Sequence, residues 1–324
     1  MNDKKRIMVT GSNGLLGQKV VGLLSHCRNF NLLLTSRHEH SVVADDSLPY
    51  FQLDITKRQD VRKVIDEFEP DVIVNTEAMT NVDLCETDRE PAWRLNVGSV
   101  EHLSYAAKLA GAHLIHISTD YVFDGKNGPY YELAPPNPIS YYGRTKLASE
   151  NVLRMSEMSY TVVRTMILYG IGIDVKQNFA LWLIKNLSEG KPVRVVDDQI
   201  SNPTLVDDVA YAILKIIELE RRGLYHVAGH DLASRADFAF ALARIFDLDP
   251  KLITPVKTAA MKQPAARPLK SGFITLKAET ELGIKPAGIE AGLHMFKNQL
   301  SSHGKLVAEP ASVSSPGGKQ HKHH

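Results

Sequence analysis

Two stretches of the chain hold residue types at a spacing suited to proton transfer. STDYVFDG, Ser118 to Gly125, closes an apolar, strand-like run, and YYGRTK, Tyr141 to Lys146, opens an amphipathic one. Tyr142 and Lys146 lie four residues apart, so a helix would bring them to one face. A free tyrosine has a pKa of about 10, too high for easy two-way proton transfer near neutrality. An ammonium beside it, Lys146, together with the positive ring of an oxidised nicotinamide, is expected to lower that value. Thr119 would hydrogen-bond the carbonyl oxygen that receives the proton. A tyrosine and a lysine at this spacing recur by chance, so the assignment depends on a dinucleotide bound nearby.

VTGSNGLLG, Val9 to Gly17, supplies the signature of one. Gly11, Gly14 and Gly17 fall between the first strand-like run and an amphipathic stretch. Gly11 permits a tight turn, Gly14 lets main-chain N–H groups approach a pyrophosphate at a helix N-terminus, and Gly17 lets helix and sheet pack closely. The spacing is GxxGxxG, not the commoner GxGxxG. Asn13 and Leu15 belong to the same candidate phosphate loop. About 20 residues further on, where an acidic side chain would hold an unphosphorylated ribose, the second run ends in Thr35, Ser36 and Arg37. A guanidinium there suits a 2′-phosphate, so NADPH is the expected cofactor, with NADH compatible; an ordinary surface charge is the alternative. Asp54, with Ile55 in LDIT, could accept from an adenine amino group, although helix capping by Asp54 or Thr56 competes.

The elements that must position these groups alternate along the chain. Strands are predicted at Arg6 to Thr10, Phe30 to Thr35, Tyr50 to Leu53, Asp71 to Asn75, His113 to Ser118, Thr161 to Leu168 and Gly223 to Val227. Helices are predicted at Gly14 to His26, Lys57 to Phe68, Arg89 to Ala110, Tyr141 to Met155, Asn178 to Ser188, Leu205 to Glu220 and Ser234 to Phe246. This rhythm specifies an α/β fold: a Rossmann-type, doubly wound parallel sheet with a smaller C-terminal substrate domain. Residues 1–169 and about 205–229 would form the dinucleotide-binding domain, about 170–204 and 230–300 the substrate domain, and 301–324 a disordered tail. The 324 residues are 44% hydrophobic and 23% charged, which excludes a disordered chain. Lys plus Arg number 38 against 37 Asp plus Glu, so bulk charge gives no basis for nucleic-acid binding. Cys27 and Cys85 match neither a disulfide framework nor a zinc spacing, and no metal is expected. The N-terminus lacks a signal-peptide pattern and no apolar run could span a membrane, so a cytoplasmic protein is expected.

From residue 6 to about 300 the chain resembles the extended short-chain dehydrogenase/reductases, and within them the dTDP-4-dehydrorhamnose reductases. The resemblance is carried by TGSNGLLGQ, LDIT, MTNVDLCE, STDYVFDG, PYYELAPPNPISYYGRTKLASE, QNFALWLI, VVDDQISNPTLVDDVA and ARPLKSGF. It implies reduction of a keto sugar by hydride transfer, with Thr119, Tyr142 and Lys146 as catalytic residues and Tyr142 as the acid. Thr119, Tyr121, Asn178 and Arg267 become candidates for the nucleotide-sugar substrate, Arg267 at its diphosphate. Asn96, in RLNVGS, would support the site or simply pack against a neighbouring helix. The implied reaction is NADPH-dependent reduction of a 4-keto sugar nucleotide, foremost dTDP-4-dehydro-L-rhamnose to dTDP-L-rhamnose, by a monomer or homodimer. Another sugar-nucleotide reductase or epimerase, or a cofactor-binding regulatory subunit like the methionine adenosyltransferase β subunit, is the alternative. Three residues depart from the pattern. Ile167 stands where rhamnose-forming relatives carry tryptophan, and Lys19 stands where some carry a Mg²⁺-binding glutamate. Glu77 replaces a small residue after the fourth strand, at the ligand crevice, and its side chain is expected to turn outward to solvent.

Overall fold

The protein is described by a computed structural model covering residues 4–43, 45 and 47–307. Seven parallel strands form its central sheet: β1 (Lys5–Thr10), β2 (Phe30–Ser36), β3 (Tyr50–Gln52), β4 (Val72–Asn75), β5 (His113–Thr119), β6 (Tyr160–Thr165) and, later in the chain, Gly223–His226. Between the last two lie β7 (Leu168–Tyr169), β8 (Val193–Val196), β9 (Ile200–Ser201) and β10 (Thr204–Leu205), so Gly223–His226 is β11; β12 (Ala233–Ser234) and β13 (Ile253–Val256) follow. The sheet order is β11-β6-β5-β4-β1-β2-β3. Strand order reverses between β1 and β4, which opens a crevice at their carboxyl ends.

The helices are α1 (Leu15–Ser25), α2 (Arg58–Phe68), α3 (Val82–Thr87), α4 (Arg89–Trp93), α5 (Ser99–Ala110), α6 (Tyr141–Met155), α7 (Phe179–Ser188), α8 (Val206–Glu218), α9 (Arg235–Ile245), α10 (Leu276–Leu282) and α11 (Ile289–Val307). Successive strand residues point to opposite faces, and both faces are covered. Ile7, Val9, Val74, Ile115 and Val163 pack with α1, α8 and α10, while Met8, Ile73, Leu114 and Val162 pack with α2 and α5. A separate core gathers Tyr169, Leu183, Val195, Phe238, Leu242, Leu293 and Phe296 from α7, α9, α11 and the short strands. Ala278 and Leu282 of α10 join the sheet's core, although they lie within the stretch expected to form the smaller domain.

Departures from the predicted elements have local causes. The run Thr161 to Leu168 is not one strand: β6 ends at Thr165, Ile167 takes φ 42°, and β7 pairs with β10 instead. The stretch from Arg89 to Ala110 is continuous but contains a π-helical turn, Arg94–Gly98, between α4 and α5. Helix α11 continues through Val307, into the segment predicted as a tail, and residues 308–324 lie outside the described ones.

One buried ion pair fastens α6 to the sheet. Arg164 on β6 donates to Glu150 on α6 through Nη2 (2.6 Å) and Nε (2.9 Å). Ser118 on β5 also donates to Glu150 (2.5 Å), and Arg164 Nη1 lies 3.3 Å from His226 Nε2. Both charges are essentially inaccessible to water, so removing one leaves the other unpaired in a low dielectric. Glu150→Ala should destabilise the fold by about 3 to 5 kcal/mol in urea titrations, whereas replacing both partners by apolar residues should cost much less.

Candidate active site

Parallel register sets Thr10, Asn75 and His116 side by side across β1, β4 and β5. All three are buried. Asn75 Oδ1 accepts from Thr10 Oγ1 (2.8 Å) and from the Glu77 main-chain N–H (3.2 Å). Its amide nitrogen therefore faces His116 Nδ1 (3.2 Å), which accepts, and the neutral imidazole carries its proton on Nε2. That nitrogen lies 2.9 Å from Ser149 Oγ and 3.2 Å from Lys146 Nζ, both on α6. Burial, with Lys146 adding, holds the imidazole far below its ordinary pKa. Burial likewise lowers the Lys146 ammonium to about 8, with Glu150 opposing.

Ser140 caps α6 and starts the helix at Tyr141, so Tyr142 and Lys146 share its inward face. Tyr142 is buried, in edge contact with Tyr121 at 5.5 Å between ring centroids. Its phenol is raised by burial, against which the adjacent Thr119 hydroxyl pulls down. The expected lowering by Lys146 is thus not what this state shows. The shared face is enclosed by the sheet, and the amino group sits against His116. Asp120, missed by sequence reading although it stands inside STDYVFDG, accepts from Ser271 (2.5 Å) and Thr119 (3.1 Å); burial raises it to about 6.

The glycine turn fits a dinucleotide phosphate. Gly11 adopts φ 70°, and a Cβ there would lie 2.9 Å from Thr76 Oγ1 and 3.0 Å from the Glu77 nitrogen. A Cβ on Gly17 would collide with the Gly11 carbonyl. Gly14 is the N-cap of α1, whose first turn, beginning at Leu15, has neither a side-chain cap nor an acidic residue. Its N–H groups are therefore available to an anion. Ser12 Oγ is buried with no partner among the described residues. Asn13 braces the turn by donating to the His40 carbonyl (2.8 Å) and accepting from the Val42 N–H (3.2 Å).

The other candidates divide. Arg37 is exposed beyond β2, and its charge reaches both Asp54 and Glu77. Asp54 accepts from Thr56 N–H (2.9 Å) and Oγ1 (2.7 Å), the turn that precedes α2; Ile55 is wholly core, leaving only its main chain for a ligand. Asn96 sits in the π-helical turn, bonded to Met79 and to Thr145 Oγ1 (3.0 Å), so it ties the loop after β4 to α6. Asn178 caps α7 and donates to the Gly170 carbonyl (2.8 Å), so both ends of its amide hold the start of the helix. Arg267 is bidentate on Asp83 (3.0 and 2.8 Å), and its charge reaches Tyr121. Arg235, not singled out from sequence, also faces Tyr121 and stacks over Phe179 at 5.1 Å. Lys19 pairs with Asp207 (3.0 Å) and Gln299 (3.2 Å). Among the described residues no group of three or more His, Cys, Asp and Glu is placed to hold a metal ion, and no helix is long and apolar enough to cross a membrane.

Glu77 corrects an expectation. Its side chain turns inward, not to solvent: Oε2 is enclosed and has no hydrogen-bond partner among the described residues. Burial raises its carboxyl from 4.5 to about 7, with Arg37 opposing and Asp54 adding. Because folding favours the protonated form, stability declines as pH rises from about 4.5 and levels off above about 7. Glu77→Gln should therefore raise stability by on the order of 2 kcal/mol near pH 8, allowing for partial solvent access, and change it little near pH 4.5. Thermal melts at the two pH values check this.

A sequence profile described as RmlD substrate binding domain matches residues 5–302. The chain is 32% identical over 298 residues to the "Probable low-salt glycan biosynthesis reductase Agl14" of Haloferax volcanii, covering 91% of this chain and 98% of that one. It is 30% identical over 301 residues to a dTDP-4-dehydrorhamnose reductase of Aggregatibacter actinomycetemcomitans, covering 89% and 97%. The crystal structure of a dTDP-4-dehydrorhamnose reductase from Bacillus anthracis in complex with NADP superposes with a TM-score of 0.82 at 31% identity, over 91% of this chain and 99% of that one. With the profile spanning both cores and the fold matching throughout, the chain belongs to the RmlD substrate binding domain family, among the reductases of the extended short-chain dehydrogenase/reductase fold.

Proposed function

We propose that the protein reduces the keto group of a 4-keto sugar nucleotide with NADPH, most directly dTDP-4-dehydro-L-rhamnose to dTDP-L-rhamnose. The observation that supports this reading is Tyr142 beside the Thr119 hydroxyl at the carboxyl end of β5, on the buried helical face that it shares with Lys146, together with a glycine turn whose helix N-terminus is open to a pyrophosphate. Relatives named for this reaction, one of them solved with NADP, support it. NADPH, when bound, supplies the hydride that reaches the carbonyl carbon. Gly11, Gly14 and the first turn of α1 would hold its pyrophosphate, and Arg37 would meet its 2′-phosphate. Tyr142 gives its proton to the carbonyl oxygen as negative charge develops there, and Thr119 holds that oxygen in line. Lys146 then stabilises the phenolate left behind; with a pKa of about 8 it remains largely protonated near neutrality. Tyr121 and Arg267 border the sugar nucleotide, Arg267 meeting its diphosphate in competition with Asp83.

Ile167, standing where the resemblance puts a tryptophan in rhamnose-forming relatives, favours a second reading in which the sugar differs from rhamnose. The catalytic and cofactor assignments are common to both readings. A panel of keto-sugar nucleotides assayed for NADPH oxidation separates them, and turnover of none of them would overturn the proposal. Tyr142→Phe should lower kcat by about 10² or more with NADPH binding nearly intact, measured by steady-state rates and calorimetry. Arg37→Ala should weaken NADPH by roughly tenfold, leaving NADH nearly unchanged in parallel titrations.

A further inference from the structure

Glu77 lies two residues beyond β4, against the glycine turn, where a β-carbon on Gly11 would come within 3.1 Å of its Cα. Its Oε2 is enclosed without a hydrogen-bond partner among the described residues. The charged and titratable groups facing it are Arg37 beyond β2, Asp54 beyond β3, and Tyr50 on β3 itself. Tyr50 is already committed to Ser36 Oγ (2.8 Å) and the His38 carbonyl (2.6 Å), and Asp54 to Thr56. Glu77 and Arg37 thus stand beyond the carboxyl ends of β4 and β2, on either side of β1, where the crevice opens. Their chemistries are opposed: a carboxylate accepts from hydroxyls and repels phosphate, whereas a guanidinium attracts it.

We propose that Glu77 is a specificity-determining residue for the adenosine ribose of the dinucleotide. Ionised, it accepts from the ribose hydroxyls and offsets Arg37, disfavouring a 2′-phosphate. Protonated, it leaves Arg37 to hold that phosphate. This rests on the dinucleotide reading of the glycine turn given above. Since burial holds the carboxyl at about 7, the preference for phosphorylated over unphosphorylated nucleotide swings across neutrality, toward NADPH on the acid side and toward NADH on the alkaline side.

The test is calorimetric titration of NADPH and of NADH into wild type, Glu77→Gln and Glu77→Ala, at about pH 6 and about pH 8.5. The nucleotide's own 2′-phosphate titrates near about 6, and the two variants report that contribution alone. In wild type the ratio of Kd for NADPH to Kd for NADH should rise across this interval by about tenfold more than in Glu77→Gln, whose NADPH complex should be about tenfold tighter than wild type at the higher pH. Glu77→Ala, with circular dichroism confirming its fold, should behave likewise. Parallel ratios in all three proteins would overturn the proposal, as would an equal gain for both nucleotides, which would indicate relief of crowding. Failure of wild type to bind either nucleotide would instead remove the dinucleotide reading, and this inference with it.

Discussion

Everything at the site hangs from a row of buried polar side chains that crosses three strands at the point where strand order reverses. Polar groups cannot stand unpaired in such an interior without a cost of roughly 1 to 3 kcal/mol each. Thr10, Asn75, His116 and Ser149 satisfy one another in sequence, and the Lys146 amino group lies 3.2 Å from the imidazole at the end of the row. Asn75 has a second duty: by accepting from the Glu77 N–H it fixes the loop that walls the cofactor crevice. One amide therefore sets both the wall on which a dinucleotide would lie and the orientation of the imidazole that faces α6. Asn96 makes a parallel tie between that loop and Thr145.

Burial then brings three groups from opposite ends of the pH scale to the neighbourhood of neutrality. Lys146 comes down to about 8, Glu77 rises to about 7 and Asp120 to about 6. Desolvation is the largest cause in each case, and it works against the charged form whichever sign it has. The contrast with Glu150 and Arg164 is instructive. That pair is as deeply buried but mutually satisfied, and its role is to clamp α6 onto the sheet. Titratable groups left partly unmatched around a crevice are where chemistry near neutral pH becomes accessible.

Much of this was legible in the residues because it depends on local pattern. The seven strands of the sheet follow apolar runs bounded by turn residues, and Tyr142 and Lys146 share a helical face by spacing alone. What sequence could not give was which face is enclosed and what waits there. The direction of the Tyr142 shift came out opposite to expectation because burial of the phenol is the largest influence on it. Glu77 likewise turned inward, its Oε2 enclosed without a partner among the described residues. Asn178 was legible as a site candidate only through its family block, and what the sequence did not show is that its amide also caps the first turn of α7. The π-helical turn around Asn96 has the same periodicity in sequence as an unbroken helix, so only the coordinates distinguish them.

The position of Lys19 shows how a single charge can join elements of the two cores. Helix α8 begins with Asp207 and Asp208 in its first turn, where the helix dipole favours negative charge. Two adjacent carboxylates also repel, and Asp208, raised first by burial, feels Asp207 as well while accepting from the Ala287 N–H. A glutamate from α1 would add a third negative charge and call for a cation between them. Lys19 brings the cation covalently, 3.0 Å from Asp207 Oδ1, with Gln299 of α11 sharing both partners. The ammonium also links α1 and α8 on the sheet to the helix that closes the smaller core. The charge of Asp207 is thus met by a side chain that, with Gln299, joins three helices.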